Sequence, residues 1–106
     1  MTRDELEARF AGRALPHGGG LLLLRPDDAK ALVREAAGAR IAILGVDGIF
    51  VSTTKTVSPL EHVADFSTPH RREDGFWHEA ERFIDERRDL GLVFEVTLGE
   101  HLDSAV

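Results

Sequence analysis

The sequence predicts one α+β domain, in which an antiparallel four-stranded sheet carries two helices on one face. Strand-like and helix-like segments alternate along the chain in the order strand, helix, strand, strand, helix, strand. This order is the split β-α-β arrangement of a ferredoxin-like sheet. The length of 106 residues fits a single domain with one core. A further helix is predicted at the N-terminus.

The predicted domain covers residues 21–99, between an N-terminal appendage and a C-terminal tail. Thr2–Leu15 has Leu6 and Phe10 at helical spacing, and Pro16–Gly20 then forms a glycine-rich link. Residues 1–20 therefore contain a helix that either docks on the domain or moves independently of it. Residues 100–106 are predicted to be a flexible tail.

The first strand and helix of the domain are predicted from an apolar run and a helical stripe. Leu21–Leu24 is a short buried strand, and Pro26 suits the first turn of a helix. Gly38 is the predicted helix end. The apolar stripe of this helix has the spacing i, i+3, i+4, i+7 and consists of Ala29, Leu32, Val33 and Ala36.

The next strand is predicted to lie at the centre of the sheet. Arg40–Val46 is apolar on both faces, as expected of a strand that is covered on both sides. Asp47 and Gly48 follow, and the Asp-Gly pair predicts a turn that exposes the carboxylate. Ile49–Val57 is rich in β-branched residues and therefore favours a strand.

Two interpretations fit the segment after this strand. Ser58–Glu61 matches a capping box with Pro59 at the first helical position. Alternatively, Glu61–Phe66 is a strand that pairs back onto the sheet. Ser67–Gly75 is polar and is predicted to be a loop.

The last helix and strand have the clearest patterns. Gly75–Leu90 carries one apolar face, and Gly91 is the predicted stop. In Leu92–Leu98, apolar residues at every second position indicate a half-buried strand. The helical face consists of Phe76, Ala80, Phe83, Arg87 and Leu90, with Ile84 beside them.

Composition narrows the function classes. Nineteen acidic residues oppose 13 basic ones, and the net charge of −6 argues against a nucleic-acid binder but permits a basic protein partner. No apolar run approaches the length of a membrane span, and the charged start of the chain lacks the apolar region of a signal peptide. We therefore expect a cytoplasmic protein without a membrane partner, monomeric or weakly dimeric.

No sequence motif indicates catalysis. The five histidines are scattered without metal-ligand spacing, and the chain has no cysteine. The triple glycine at residues 18–20 lacks the residues of a phosphate-binding loop, and no nucleophile elbow occurs. We therefore expect no enzyme, no metal site and no cofactor.

Two stretches resemble a known family. Residues 29–48 have the pattern A-x-x-L-V-R-E-A-A-x-x-R-I-A-I-L-G-V-D-G, and residues 91–98 match G-x-x-x-x-[IV]-T-L. Both resemble the immunity protein of the tRNA-cleaving colicin and related immunity proteins of polymorphic-toxin loci, over about residues 21–99. The resemblance implies an inhibitor that binds a basic ribonuclease toxin domain and occludes its RNA site. By its match to the family motif, Asp47 is expected to contact the toxin.

The position of other residues in the predicted fold extends this candidate partner-binding site. The added residues flank the motif or lie in the ambiguous segment, and they are Gly48, Phe50, Glu61, His62, Asp65 and Phe66. An alternative function is a small ferredoxin-like regulatory or ligand-binding domain, since folds of this kind serve many functions. That alternative predicts a dimer through an edge strand and an apolar pocket.

Overall fold

The chain folds as an α+β domain, as predicted. The structure is a computed structural model that describes residues 1–15, 22–51, 56–57, 62–66 and 75–102. A 3-10 turn at Ala11–Arg13 follows the first helix. The helices and strands, in chain order, are α1 (Arg3–Phe10), β1 (Leu23–Leu24), α2 (Pro26–Ala39), β2 (Ile41–Val51), β3 (Thr56–Val57), β4 (Val63–Asp65), α3 (Trp77–Glu86) and β5 (Val93–His101).

The sheet is antiparallel and is built around β2 and β5. β2 pairs with β5 on one side and with the short strands β3 and β4 on the other, and β1 pairs with the outer edge of β5. Because β3 and β4 share one edge, the sheet is four strands wide. The two central strands are β2 and β5. This strand order does not clearly confirm the predicted ferredoxin-like arrangement.

The core lies between one face of the sheet and the pair α2 and α3. The predicted stripe of α2 is fully buried, and so are Ala80 and Ile84 of α3. On β5, the predicted alternation is confirmed, because Phe94, Val96 and Leu98 all face this core. Burial of these aliphatic and aromatic groups supplies the main driving force for folding.

The N-terminal helix is docked on the domain. Thr2 caps α1 with a capping box to Glu5, which satisfies free N–H groups of the first turn. Leu6 and Phe10 are 0% and 1% exposed and belong to the same core as the sheet and the other helices. Of the two interpretations of this segment, docking is the one that the structure supports.

The end of α2 differs from the prediction at Gly38. The helix continues to Ala39, and Arg40 takes the left-handed position with φ 58°. The Arg40 N–H donates to the carbonyls of Ala36 and Ala37, which is the hydrogen bonding that usually makes glycine the favoured residue here. The Arg40 guanidinium lies 5.8 Å from the Trp77 ring centroid, and this contact helps to hold the non-glycine residue in place.

The predicted turn at Asp47-Gly48 is wrong, because β2 runs straight through both residues. Asp47 pairs with Glu95 on β5 and with Val63 on β4, and Gly48 pairs with Phe94. Strand partners on both sides satisfy the backbone of these residues, so the local turn preference is overridden. Asp47 is consequently half-buried on a sheet face instead of exposed at a turn.

The segment between β2 and α3 is described only in part. Val63–Asp65 forms β4, so the strand interpretation holds for these three residues. The predicted capping box at residues 58–61 and the predicted loop at 67–74 lie outside the described residues.

The last helix is shorter than predicted and the last strand is longer. α3 ends at Glu86 and not at the predicted stop Gly91, which lies beyond a series of turns and has a φ of 76°. β5 continues to His101, and the N–H of Leu102 donates to the Arg40 carbonyl at 2.6 Å. The beginning of the predicted tail is therefore part of the sheet. No helix in the described part of the chain is long and apolar enough to cross a membrane.

Candidate functional site

Three carboxylates share the sheet face that points away from α2 and α3. Alternation along β2 and β5 places Asp47 on this face directly opposite Glu95, since their neighbours Val46 and Val96 face the core. On the other side of β2, Asp65 pairs with Gly45 and is a diagonal neighbour of Asp47. We call Asp47, Asp65 and Glu95 the acidic cluster.

The carboxylates of the acidic cluster influence one another. Partial burial raises the pKa of Asp47, and the charge of Asp65 raises it further. The pKa of Glu95 is raised by partial burial and then by the charge of Asp47. Burial and like charge both disfavour the ionised form, and a cation placed between the groups would favour it.

Neither Asp47 nor Glu95 forms an ion pair within the described ranges, whereas several carboxylates of the helices do. Ion pairs connect the helices with one another and with the neighbouring turns, so the basic side chains of these pairs already have acidic partners. These pairs are Arg9–Glu35, Arg13–Asp28, Lys30–Asp85, Arg34–Glu81 and Arg88–Asp27. Within the described part of the chain, Asp47 and Glu95 therefore carry their charge without an ion-pair partner.

Exposed apolar side chains lie next to the acidic cluster. Val63, which pairs with Asp47 on the same face, is 37% exposed. Leu44 is 38% exposed and packs over Gly99, where an added Cβ would come within 2.8 Å of the Leu44 Cγ. A face that combines carboxylates with exposed aliphatic groups is suited to contact another protein.

A second group of predicted residues lies at the end of β2. The Phe50 side chain is 39% exposed and packs edge-on against His62, with ring centroids 6.1 Å apart. Gly48 permits this approach, because an added Cβ would lie 3.1 Å from the His62 Cβ. The Arg87 Nε donates to the His62 Nδ1 at 3.2 Å, so this nitrogen of His62 acts as the acceptor.

The structure divides the predicted site residues into separate groups. Asp47 and Asp65 meet on the sheet face, while Gly48, Phe50 and His62 meet at the end of β2. Phe66 instead stacks on Phe76 at a centroid distance of 5.0 Å and packs against the core. Glu61 lies outside the described residues.

Sequence reasoning missed Glu95. The alternation along β5 already assigned it to the face opposite Phe94, which was the available signal. Its partner on β2 follows only from the strand register, which joins residues 48 positions apart. Because register depends on long-range pairing, the sequence pattern alone did not bring Glu95 next to Asp47.

The described surface has two depressions that bear on the ligand-binding alternative. No group of three or more metal-binding side chains occurs among the residues that the structure describes. One depression lies at the start of α2 beside Arg88, and another lies between α1 and β5; charged side chains contribute to both. Neither is the apolar pocket that the ligand-binding alternative predicts.

No protein-family model matches the chain, and no curated protein is significantly similar to it. The resemblance to colicin-type immunity proteins therefore remains a hypothesis from residues 29–48 and 91–98.

Proposed function

We propose that this protein is a toxin-neutralising immunity protein that binds a cognate basic nuclease toxin of the ribonuclease class through the sheet face bearing the acidic cluster. The observation that carries the proposal is the direct apposition of Asp47 and Glu95 without a counter-charge in the described structure. A nuclease binds the phosphates of its substrate with basic side chains. Carboxylates held in a rigid sheet can take the place of these phosphates.

Repulsion within the acidic cluster favours binding of a cation. Like charges on directly opposite strand positions destabilise a sheet, and here partial burial adds to the cost of ionising Asp47 and Glu95. A lysine or arginine of the partner, placed against both carboxylates, would relieve this cost. It would also form charge-assisted hydrogen bonds, which are stronger than neutral ones. Binding thus gains free energy that the isolated domain does not have.

The distribution of charge also orients the protein toward its partner. In the helical layer, ion pairs such as Lys30–Asp85 and Arg34–Glu81 balance the charges locally. Among the residues that the structure describes, no basic side chain pairs with Asp47 or Glu95, so these carboxylates direct a basic surface to the sheet. Complementary charge of this kind accelerates association and fixes the orientation of the complex.

Neutralisation would require no chemistry from this protein. Strand partners on both sides hold β2, so the positions of Asp47 and Glu95 are fixed before binding. A preorganised surface loses little conformational entropy on association. Once bound over the basic cleft of the nuclease, the sheet would exclude RNA from the catalytic groups of the toxin.

Co-purification with a candidate toxin, a nuclease domain encoded by the gene next to its own, tests the proposal. The wild type should form a complex at low salt. Asp47→Asn combined with Glu95→Gln should raise the dissociation constant at least about tenfold, which corresponds to about 1.4 kcal/mol of binding free energy. The matched control combines Asp89→Asn with Glu100→Gln, which removes the same charge from exposed positions outside the acidic cluster. Absence of a wild-type complex, or equal weakening in the control, would contradict the proposal.

A further inference from the structure

A continuous series of side-chain contacts, two of them edge-on ring contacts, runs from the core to the surface. It begins at Phe94, which is fully buried, and continues to Phe83, with ring centroids 6.5 Å apart. The Arg87 guanidinium carbon lies 3.8 Å from the Phe83 ring centroid, and Arg87 donates to His62 at 3.2 Å. His62 then packs against Phe50, the exposed end of the series. We call these five residues the ring stack.

We propose that Phe50 is the apolar anchor of the interface with the basic nuclease, presented in a fixed position by the ring stack. The inference rests on the proposed function and adds a second contact region to it. Aromatic side chains next to arginine are the composition of interface hot spots. An exposed phenylalanine at the end of a rigid strand is available to fill an apolar recess of the partner.

Val63 lies on the edge strand β4, between His62 in the chain and Asp47 across the sheet. Its side chain is 37% exposed. By alternation along β2, Phe50 lies on the side of Val46 and Gly48, opposite to Asp47. We call Phe50, Val63 and Asp47 the band, which passes around this edge from one side of the sheet to the other. One partner surface that follows this edge can contact the carboxylates and the aromatic ring together, and its basic groups are complementary to the acidic part of the band.

The ring stack is ordered before any partner binds. The Arg87 side chain is 21% exposed, and its Nη1 donates to the Phe83 carbonyl at 3.2 Å while its Nε donates to His62. Gly48 lets His62 lie close to β2. A side chain that is already held in place loses little entropy on association, so more of its contact energy contributes to affinity.

The two regions should act on different rate constants. Long-range attraction by the acidic cluster determines mainly how fast the complex forms. Short-range packing of Phe50 acts only after contact and determines how slowly the complex dissociates. Kinetics can therefore separate the anchor from the charged surface.

Surface plasmon resonance with the nuclease domain encoded beside the gene tests the anchor. Phe50→Ala should raise koff by at least about tenfold and change kon by less than about threefold. Leu90→Ala is the matched control, because Leu90 is 48% exposed and lies outside the band. Phe50→Leu keeps apolar bulk in case the alanine variant folds poorly, and it should raise koff by about threefold or more.

Arg87→Lys tests the positioning role of the stack. Lysine keeps the charge but lacks the planar group that stacks on Phe83 and the Nε–H that His62 accepts. It should raise koff by less than Phe50→Ala does, and it should leave kon unchanged. Wild-type koff in Arg87→Lys would overturn the positioning role.

The outcomes separate this inference from the proposed function. If Phe50→Ala and Phe50→Leu dissociate like Leu90→Ala while wild type binds and Asp47→Asn weakens binding, the anchor is overturned and the proposed function stands. If wild type does not bind the nuclease, both are overturned. Melting curves of each variant confirm that the proteins compared are folded.

Discussion

Asp47 on β2 and Glu95 on β5 face each other directly across the sheet, and partial burial raises the pKa of both. The charge of Asp65 raises the pKa of Asp47 further, and the charge of Asp47 raises that of Glu95. Either carboxylate would be easier to accommodate as a neutral amide. A domain stabilised only for folding would gain by losing one of them. Their presence side by side is therefore consistent with selection for contact with a cation and not for stability of the fold.

Neutralising the pair should stabilise the protein at pH 7. Asp47→Asn or Glu95→Gln should raise the free energy of unfolding by about 0.2–1 kcal/mol, the range of a single cross-strand pair. The raised pKa values set the sign, because the folded state binds the proton more tightly than the unfolded state. The stability advantage of the protonated forms is complete below the unfolded pKa values, about 3.9 for Asp and 4.3 for Glu, and is lost as pH rises through the folded pKa values. In urea unfolding, the variants should have a higher free energy of unfolding than the wild type at pH 7 but not at pH 3.

Asp85→Asn is the control, because the pKa of Asp85 is shifted in the opposite direction. The Asp85 Oδ1 accepts a hydrogen bond from Lys30 at 2.8 Å, and this contact lowers the pKa of the carboxyl. A lowered pKa contributes stability above the unfolded value that is lost as pH falls through the folded value. Asp85→Asn should therefore leave stability unchanged or slightly reduce it at pH 7. Stabilisation by both substitutions alike would mean that general charge reduction is the cause.

Gly45→Ala should destabilise the sheet where β4 joins β2. An alanine Cβ at this position would lie 2.9 Å from the Ala64 carbonyl oxygen, a backbone atom that cannot move without displacing β4. We expect a loss of about 1–3 kcal/mol, as for other overpacked sites. Gly38→Ala is the control, because nothing lies within 4 Å of its added Cβ. In the helix it should stabilise by about 0.5–1 kcal/mol. Equal effects on the midpoint of urea unfolding would contradict the close approach of β4.

Gly91→Ala should destabilise the protein through the backbone alone. Gly91 has a φ of 76°, and open space surrounds the position of an added Cβ. The left-handed conformation costs a non-glycine residue about 1–2 kcal/mol. Gly12→Ala, at a position with equally open space and no positive φ, should change stability little. Similar melting temperatures for the two variants would rule out the proposed strain.

Salt should slow association of the complex more strongly for the wild type than for the variant without the carboxylates. Screening reduces attraction between exposed charges over about 10 Å at 0.1 M ionic strength. We expect kon to fall as salt increases, with a shallower fall for Asp47→Asn combined with Glu95→Gln. Stopped-flow association from 20 mM to 500 mM salt measures both slopes. Parallel slopes would mean that other charges direct the encounter.

Much of the fold was predictable because its periodic patterns agree with the elements they form. The stripe of α2 and the alternation of β5 were identified at the correct positions, since both depend on local repeats. The turn predicted at Asp47-Gly48 does not form, because the strands that pair with β2 on both sides determine the backbone conformation of these residues. Gly38 was chosen as a helix end on composition, whereas tertiary contacts of Arg40 determine where the helix stops.

The candidate site was predictable only in part for the same reason. Asp47 and Asp65 were identified, but the motif that suggested Asp47 placed it on a turn. The strand register places Glu95 next to Asp47, whereas Phe66 stacks on Phe76 and lies away from the acidic cluster. Both outcomes depend on which residues meet across strands, and local patterns do not encode this.

Inhibition of RNA cleavage by the neighbouring nuclease domain tests the central claim most directly. An equimolar amount of wild-type protein should abolish cleavage, and so should the Asp89→Asn and Glu100→Gln control. The variant with Asp47→Asn and Glu95→Gln should need at least about ten times more protein for the same inhibition. Equal inhibition by that variant and the wild type would show that the acidic cluster does not carry the interaction.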